Sequence, residues 1–198
     1  MEEVLETIMS KPALVDDDDD EEIEDEGEVE PLEEGETMAD RKAEAAKKRE
    51  LGLKEHSMKV QRACFNLVAL SSDATDAAQI IVKGGLEKIM TFLSNKSSQR
   101  NMCNMLWTLF NLCMIGDIEA NLEKIGNVNN GIGMQIVTEL LSEDKIGDGK
   151  QVPLRAAMLI AQLAKAEKNR SKIATYCAET LISNTRYLHS TCTHIQPL

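Results

Sequence analysis

Val60-Gln61-Arg62-Ala63-Cys64-Phe65-Asn66-Leu67 returns later in the chain as Met105-Leu106-Trp107-Thr108-Leu109-Phe110-Asn111-Leu112, with Phe-Asn-Leu in register and Asn111 standing 45 positions after Asn66. A third copy is Ala156-Ala157-Met158-Leu159-Ile160-Ala161-Gln162-Leu163, in which Gln162 takes the Asn position. Apolar residues recur three and four apart in these stretches, the period of an amphipathic helix. A second block follows each first one. Ile80-Ile81-Val82 leads through Gly84-Gly85 to Ile89, Met90, Thr91 and Leu93; Leu122 and Ile125 lead through Gly126 and Gly131 to Ile136, Val137, Thr138 and Leu140. The third version, from Ile173 to Leu181-Ile182, has no Gly between its halves and is degenerate. Its wider spacing is absorbed by the polar stretch Asp144-Lys145-Ile146-Gly147-Asp148-Gly149, read as a loop. Each unit therefore reads as a long helix, a short helix, a Gly turn and another helix. Helical units of about 40 to 47 residues belong to the solenoid class.

Composition points the same way. Aromatic residues are 3% of the 198, too few for the aromatic and β-branched strands of a sandwich or barrel, so an all-α chain is expected. The formal net charge of -12 disfavours binding to nucleic acid through the phosphate backbone. No apolar run approaches the roughly 20 residues that span a bilayer, so no membrane span is expected. Met1-Glu2-Glu3-Val4 is unlike a secretory signal. Five cysteines, an odd number with no CxxC, suit a reducing compartment, the cytoplasm or the nucleus.

The charge is unevenly distributed. The first 36 residues hold 18 acids and one Lys, with Asp16 to Glu22 unbroken, while residues 41–62 are basic and the remainder is nearly balanced. An acidic run repels itself and buries nothing. The expected organisation is a disordered acidic tail over 1–39, a basic helical connector or cap over 40–56, repeats over 57–184, and an irregular tail over 185–198. Within the acidic tail, Val4, Leu5, Ile8 and Met9 have helical spacing and read as a short docking helix.

The repeated helices, with Asn-Leu, Gly-Gly-Leu and a closing Leu-Leu, resemble the armadillo repeat over roughly residues 55–184. The resemblance implies a right-handed α-solenoid of about three repeats; an irregular all-α bundle is the alternative. It also implies that the helices bearing Asn66, Asn111 and Gln162 line a concave face, where a carboxamide clamps the main chain of an extended peptide. In importin-α-like repeats, a Trp one turn before that Asn holds the stem of a basic side chain. Trp107 and Asn111 make that pair here, whereas Arg62 and Met158 stand in the Trp position of the other copies. The competing reading has Asn66 and Asn111 bonding neighbouring helices and Trp107 filling the core. Gly133 to Leu141 and Ile160 to Asn169 also resemble the armadillo guanine-nucleotide dissociation stimulator of small GTPases, which implies a polybasic GTPase as partner.

Residues suited to catalysis are few. His56, His189 and His194 lie in no nucleophile motif. Cys192 with His189 and His194 would have to be oriented by an irregular tail, so no metal is expected. Gly126 to Gly133 looks like a phosphate loop but follows a helix and lacks Gly-Lys-Ser. Cys64, Cys103 and Cys113 read as small core residues. The expected function is therefore a non-catalytic adaptor, without cofactor, that binds a protein or peptide partner, a basic one on the resemblance, through Arg62, Asn66, Trp107, Asn111, Met158 and Gln162. The alternative is a small-GTPase regulator. The open last repeat is expected to dock onto another protein or a second copy.

Overall fold

The computed structural model describes residues 1–10, 38–142 and 151–192. Among these residues every regular element is helical and there is no strand. The chain divides into two compact units, one made of Met1–Met9 with Gln61–Leu198 and the other of Ser10–Val60.

In the second unit the described structure is the first part of helix α2, Met38–Leu70. It is rich in Ala, Lys, Arg and Glu, which lose little freedom on becoming helical. The described side chains from 43 to 59 are exposed, His56 being half-buried. Glu50 and Lys54, one turn apart, pair at 2.6 Å. No break separates 40–56 from the residues that follow, so the connector is continuous with the first repeated helix.

The first unit carries three successive groups of helices. The end of α2 leads into α3, Ala74–Val82, and α4, Gly85–Ser94. Then come α5, Gln99–Leu112, α6, Ile118–Gly126, and α7, Ile132–Glu139. Last are α8, Gln151–Leu163, and α9, Glu167–Cys192. Helix α5 packs on α8, α4 on α7, and α7 on α9, so corresponding helices of neighbouring groups lie against each other. The core is built from their apolar stripes: Leu67 on α2, Ile80 on α3, Ile89 and Leu93 on α4, Met102, Met105, Leu106, Leu109 and Leu112 on α5, Val137 on α7 and Leu159 on α8 are fully buried.

Local chemistry sets where the helices begin and turn. Asp73 caps α3, accepting from the Thr75 and Asp76 amides at 2.8 and 3.1 Å. Asp117 caps α6 through the Ala120 amide at 3.2 Å. Gly84 takes a left-handed φ of 70° between α3 and α4. At Gly85 a Cβ would lie 2.6 Å from Ile80, so the two glycines serve different needs, a turn and a close approach. Where the third group lacks such a glycine, α9 runs on unbroken to Cys192. Part of the stretch 185–198, expected to be irregular, is thus helical, because no Gly or Pro interrupts it before Pro197. Residues 193–198 and the stretch 143–150, expected to be a loop, lie outside the described residues, as do 11–37 of the acidic tail.

The start of that tail matches the short docking helix read there and departs from the disorder expected of 1–39 as a whole. Glu2–Met9 is a helix, α1, and it packs on α4 with Leu5 and Ile8 buried. Eight residues are too few to hold a helix alone in water, so docking sustains it. Full burial of a Leu or Ile side chain contributes about 1.5–3 kcal/mol.

Two buried asparagines, absent from the sequence reading, tie helices together, Asn121 within one group and Asn169 across two. Asn121 near the start of α6 donates to the Leu112 and Ile115 carbonyls at 3.2 and 2.8 Å, closing the end of α5. Asn169, at the corresponding place in α9, donates to the Leu163 carbonyl at 3.1 Å and the Leu122 carbonyl at 2.8 Å. Its side-chain oxygen has no partner and faces Gly126, where a Cβ would come within 2.2 Å of it. Gly126→Ala should therefore cost about 1–3 kcal/mol by overpacking. Gly52→Ala, with nothing within 4 Å on an exposed stretch of α2, should favour its helix by about 0.5–1 kcal/mol. Thermal unfolding followed by circular dichroism checks both signs.

Candidate partner-binding face

The residues singled out from the repeats fall on the end of α2, on α5 and on α8. Each helix turns its buried stripe inward, and the repeated positions stand at or beside the opposite edge. The three carboxamides do not share one environment. Asn66 is exposed. Asn111 is half-buried, and its Nδ2 donates to the Ser71 and Ser72 hydroxyls at 3.0 and 3.2 Å and to the Val68 carbonyl at 3.4 Å. Those acceptors belong to the last turn of α2 and the turn after it, so this amide joins α5 to the preceding group. Gln162 is buried, with Nε2 at 2.8 Å from the Met114 sulfur, which links α8 to the turn after α5.

Trp107 is half-buried and sits within a small cluster. Phe110, three residues on, stacks with it at 5.3 Å between centroids and 14° between planes. The guanidinium of Arg155 on α8 lies 5.0 Å from the indole centroid, and its Nη1 donates to the Cys103 carbonyl at 3.2 Å. A cation over an indole is attracted by the ring quadrupole, worth about 0.5–2 kcal/mol according to exposure. The chain's own arginine therefore takes up the kind of contact that the resemblance assigned to a partner's cation. Arg155 carries no local sequence signal for this role, because only the packing of α8 on α5 brings it there.

On these helices and the turn after α5, several large apolar side chains remain in contact with water. Phe65, in the same repeat position as Phe110, is 66% exposed; Met114 is 48% and Met158 37% exposed, and Leu154 is exposed as well. Phe65 and Phe110 were visible in the repeat itself, and Met114 follows Phe110 by one turn. Arg62 is exposed at the position that Trp107 occupies in the second copy. With its amide oxygen turned towards α5, Gln61 accepts from Arg100 Nη1 at 2.9 Å and Nε at 3.2 Å. Residues 61–70, α5 and α8 contain three arginines and neither Asp nor Glu. The face is thus apolar with positive charge at its edges.

The four thiols described are shielded from solvent. Cys64, Cys103, Cys113 and Cys177 are buried free thiols. Burial raises the thiol pKa of Cys64 and Cys113 from the ordinary 9.0 to about 12. Burial also raises Cys103, against the opposing pull of Arg155, and raises Cys177, against its 2.8 Å contact with the Thr138 hydroxyl. Among the described residues no group of three His, Cys, Asp or Glu is placed to hold a metal ion.

Two measurements follow from this geometry. Trp107 is the sole tryptophan, so its emission reports this cluster alone. Arg155→Ala should make the indole more open to acrylamide quenching and lower stability by about 0.5–2 kcal/mol, with helical content kept. Below pH 9 both folded and unfolded chains keep the Cys64 and Cys113 protons. Between pH 9 and about 12 the unfolded chain releases them first, so folding weakens as pH rises, by roughly 1.4 kcal/mol for each pKa unit of difference. Urea unfolding across that range should show a steeper decline for the native chain than for Cys64→Ala/Cys113→Ala.

Comparison of this chain with protein-family models, with curated proteins and with solved structures finds no match.

Proposed function

We propose that this chain is a non-catalytic adaptor, a short armadillo-like superhelix that receives a segment of another protein on the concave side of α2, α5 and α8. The observation that carries the reading is the set of large apolar side chains left exposed along the repeated helices: Phe65 on α2, Met114 in the turn after α5, and Leu154 and Met158 on α8. Leaving apolar area in water forgoes about 25 cal/mol for each Å2, and exposed apolar patches mark interaction surfaces. Methionine suits such a surface because its unbranched, polarizable side chain adapts to different partners.

The charge of the face selects the guest. Three arginines and no carboxylate on these stretches favour a segment that alternates apolar and acidic residues over a polybasic one. Asn66, with its exposed amide, supports the main chain of such a guest by offering both a donor and an acceptor. Asn111, Gln162 and Arg155 hold the floor of the face in place.

Phe65→Asp and Met158→Asp each put a charge into this set without touching the core. Cross-linked partners retained by the native chain should fall roughly tenfold with either variant, while the circular-dichroism spectrum and melting midpoint stay put. Equal retention by native and variant chains would refute the reading. Nucleotide release from small GTPases should not be accelerated by the chain.

A further inference from the structure

Helix α1 reaches α4 from about 80 positions away in the sequence, and it is seated there by two kinds of contact. Leu5 and Ile8, three apart on one side of α1, are almost wholly buried. Beside them Glu2 pairs with Lys83 at 3.2 Å, and Glu6 pairs with Lys88. The carboxylates are one turn apart on α1, and the two ammonium groups flank the start of α4 in the same order. The surface thus reads both an apolar stripe and the spacing of two negative charges.

We propose that this surface of α4 is a docking site for an amphipathic helix of another protein that carries carboxylates one turn apart, and that α1 is the built-in competitor holding it shut. Three features make α1 exchangeable. It buries only two side chains fully, and both of its ion pairs are solvent-exposed and so add little to its hold. It is shorter than a helix that persists alone, so an undocked α1 unwinds. Its tether leaves the two ends of the exchange in one chain, which makes α1 a competitor of fixed effective concentration against any helix arriving from solution. The partner is acidic and amphipathic because Lys83 and Lys88 are the charges exposed when α1 leaves. This site lies on α4, apart from the face on α2, α5 and α8, and does not depend on it.

The test uses the full chain, its Leu5→Asp/Ile8→Asp variant, and a fluorescein-labelled peptide of residues 1–10 as the probe. Fluorescence anisotropy should show the peptide binding the variant roughly tenfold more tightly than the native chain, in which α1 competes. Adding Lys83→Glu and Lys88→Glu to the variant turns two attractions into two repulsions and should weaken that binding severalfold, and raised salt should shrink this difference. If the double variant loses its helical spectrum, Leu5→Ala/Ile8→Ala weakens the apolar hold of α1 without adding charge and makes the same comparison. Equal peptide affinity for native and released chains, or affinity untouched by the lysine reversals, overturns the proposal. So does a dimer of the native chain that disappears in Leu5→Asp/Ile8→Asp, because it would assign the surface to α1 of a second copy.

Discussion

Asn169 holds the first unit's helices in register. Its single amide group donates to the carbonyl that ends α8 and to the Leu122 carbonyl within α6, and the space it needs exists because residue 126 has no side chain. A helical group of this kind has too little apolar surface to fold by itself, so it depends on its neighbours. Hydrophobic burial supplies the attraction between groups but has no direction. The amides of Asn121, Asn169 and Asn111 supply direction, because each must reach specific carbonyls or hydroxyls across a junction. Loss of any of these bonds would leave buried carbonyls unsatisfied.

Much of the helical order was legible in the amino-acid sequence. The recurrence of Phe-Asn-Leu, followed by Gly and a second apolar block, marks the long helix, the turn and the helix after it. Helix α9 lacks the internal Gly and lacks the turn. Other features were out of reach for physical reasons. The placement of Arg155 over Trp107 depends on how α8 lies against α5, and periodicity reports only which side of a helix is apolar. Docking of α1 on α4 joins residues about 80 apart, and its four apolar residues are too short a run to identify their counterpart. Asn121 and Asn169 did leave a trace, since each stands in the first turn of the helix that follows a repeated one.

The same residue type does different work at matched positions. Asn66 meets water, Asn111 meets Ser71 and Ser72, and Gln162, longer by one methylene, meets Met114. A repeat fixes where a side chain starts, whereas the neighbouring group decides what it finds there. The middle helix α5 has a partner group on each side and buries most of its length, while the end of α2 leaves Phe65 largely open.

The separation of inner and outer sides on α2, α5 and α8 has an evolutionary consequence. Leu67, Leu109 and Leu159 are locked inside, yet Phe65 on α2 and Leu154 and Met158 on α8 stand clear of that packing. Replacing an outward residue costs little folding free energy, since surface changes away from special features usually stay within about 0.5 kcal/mol. On the proposed reading, binding preference can therefore change at these outward positions while the scaffold stays folded.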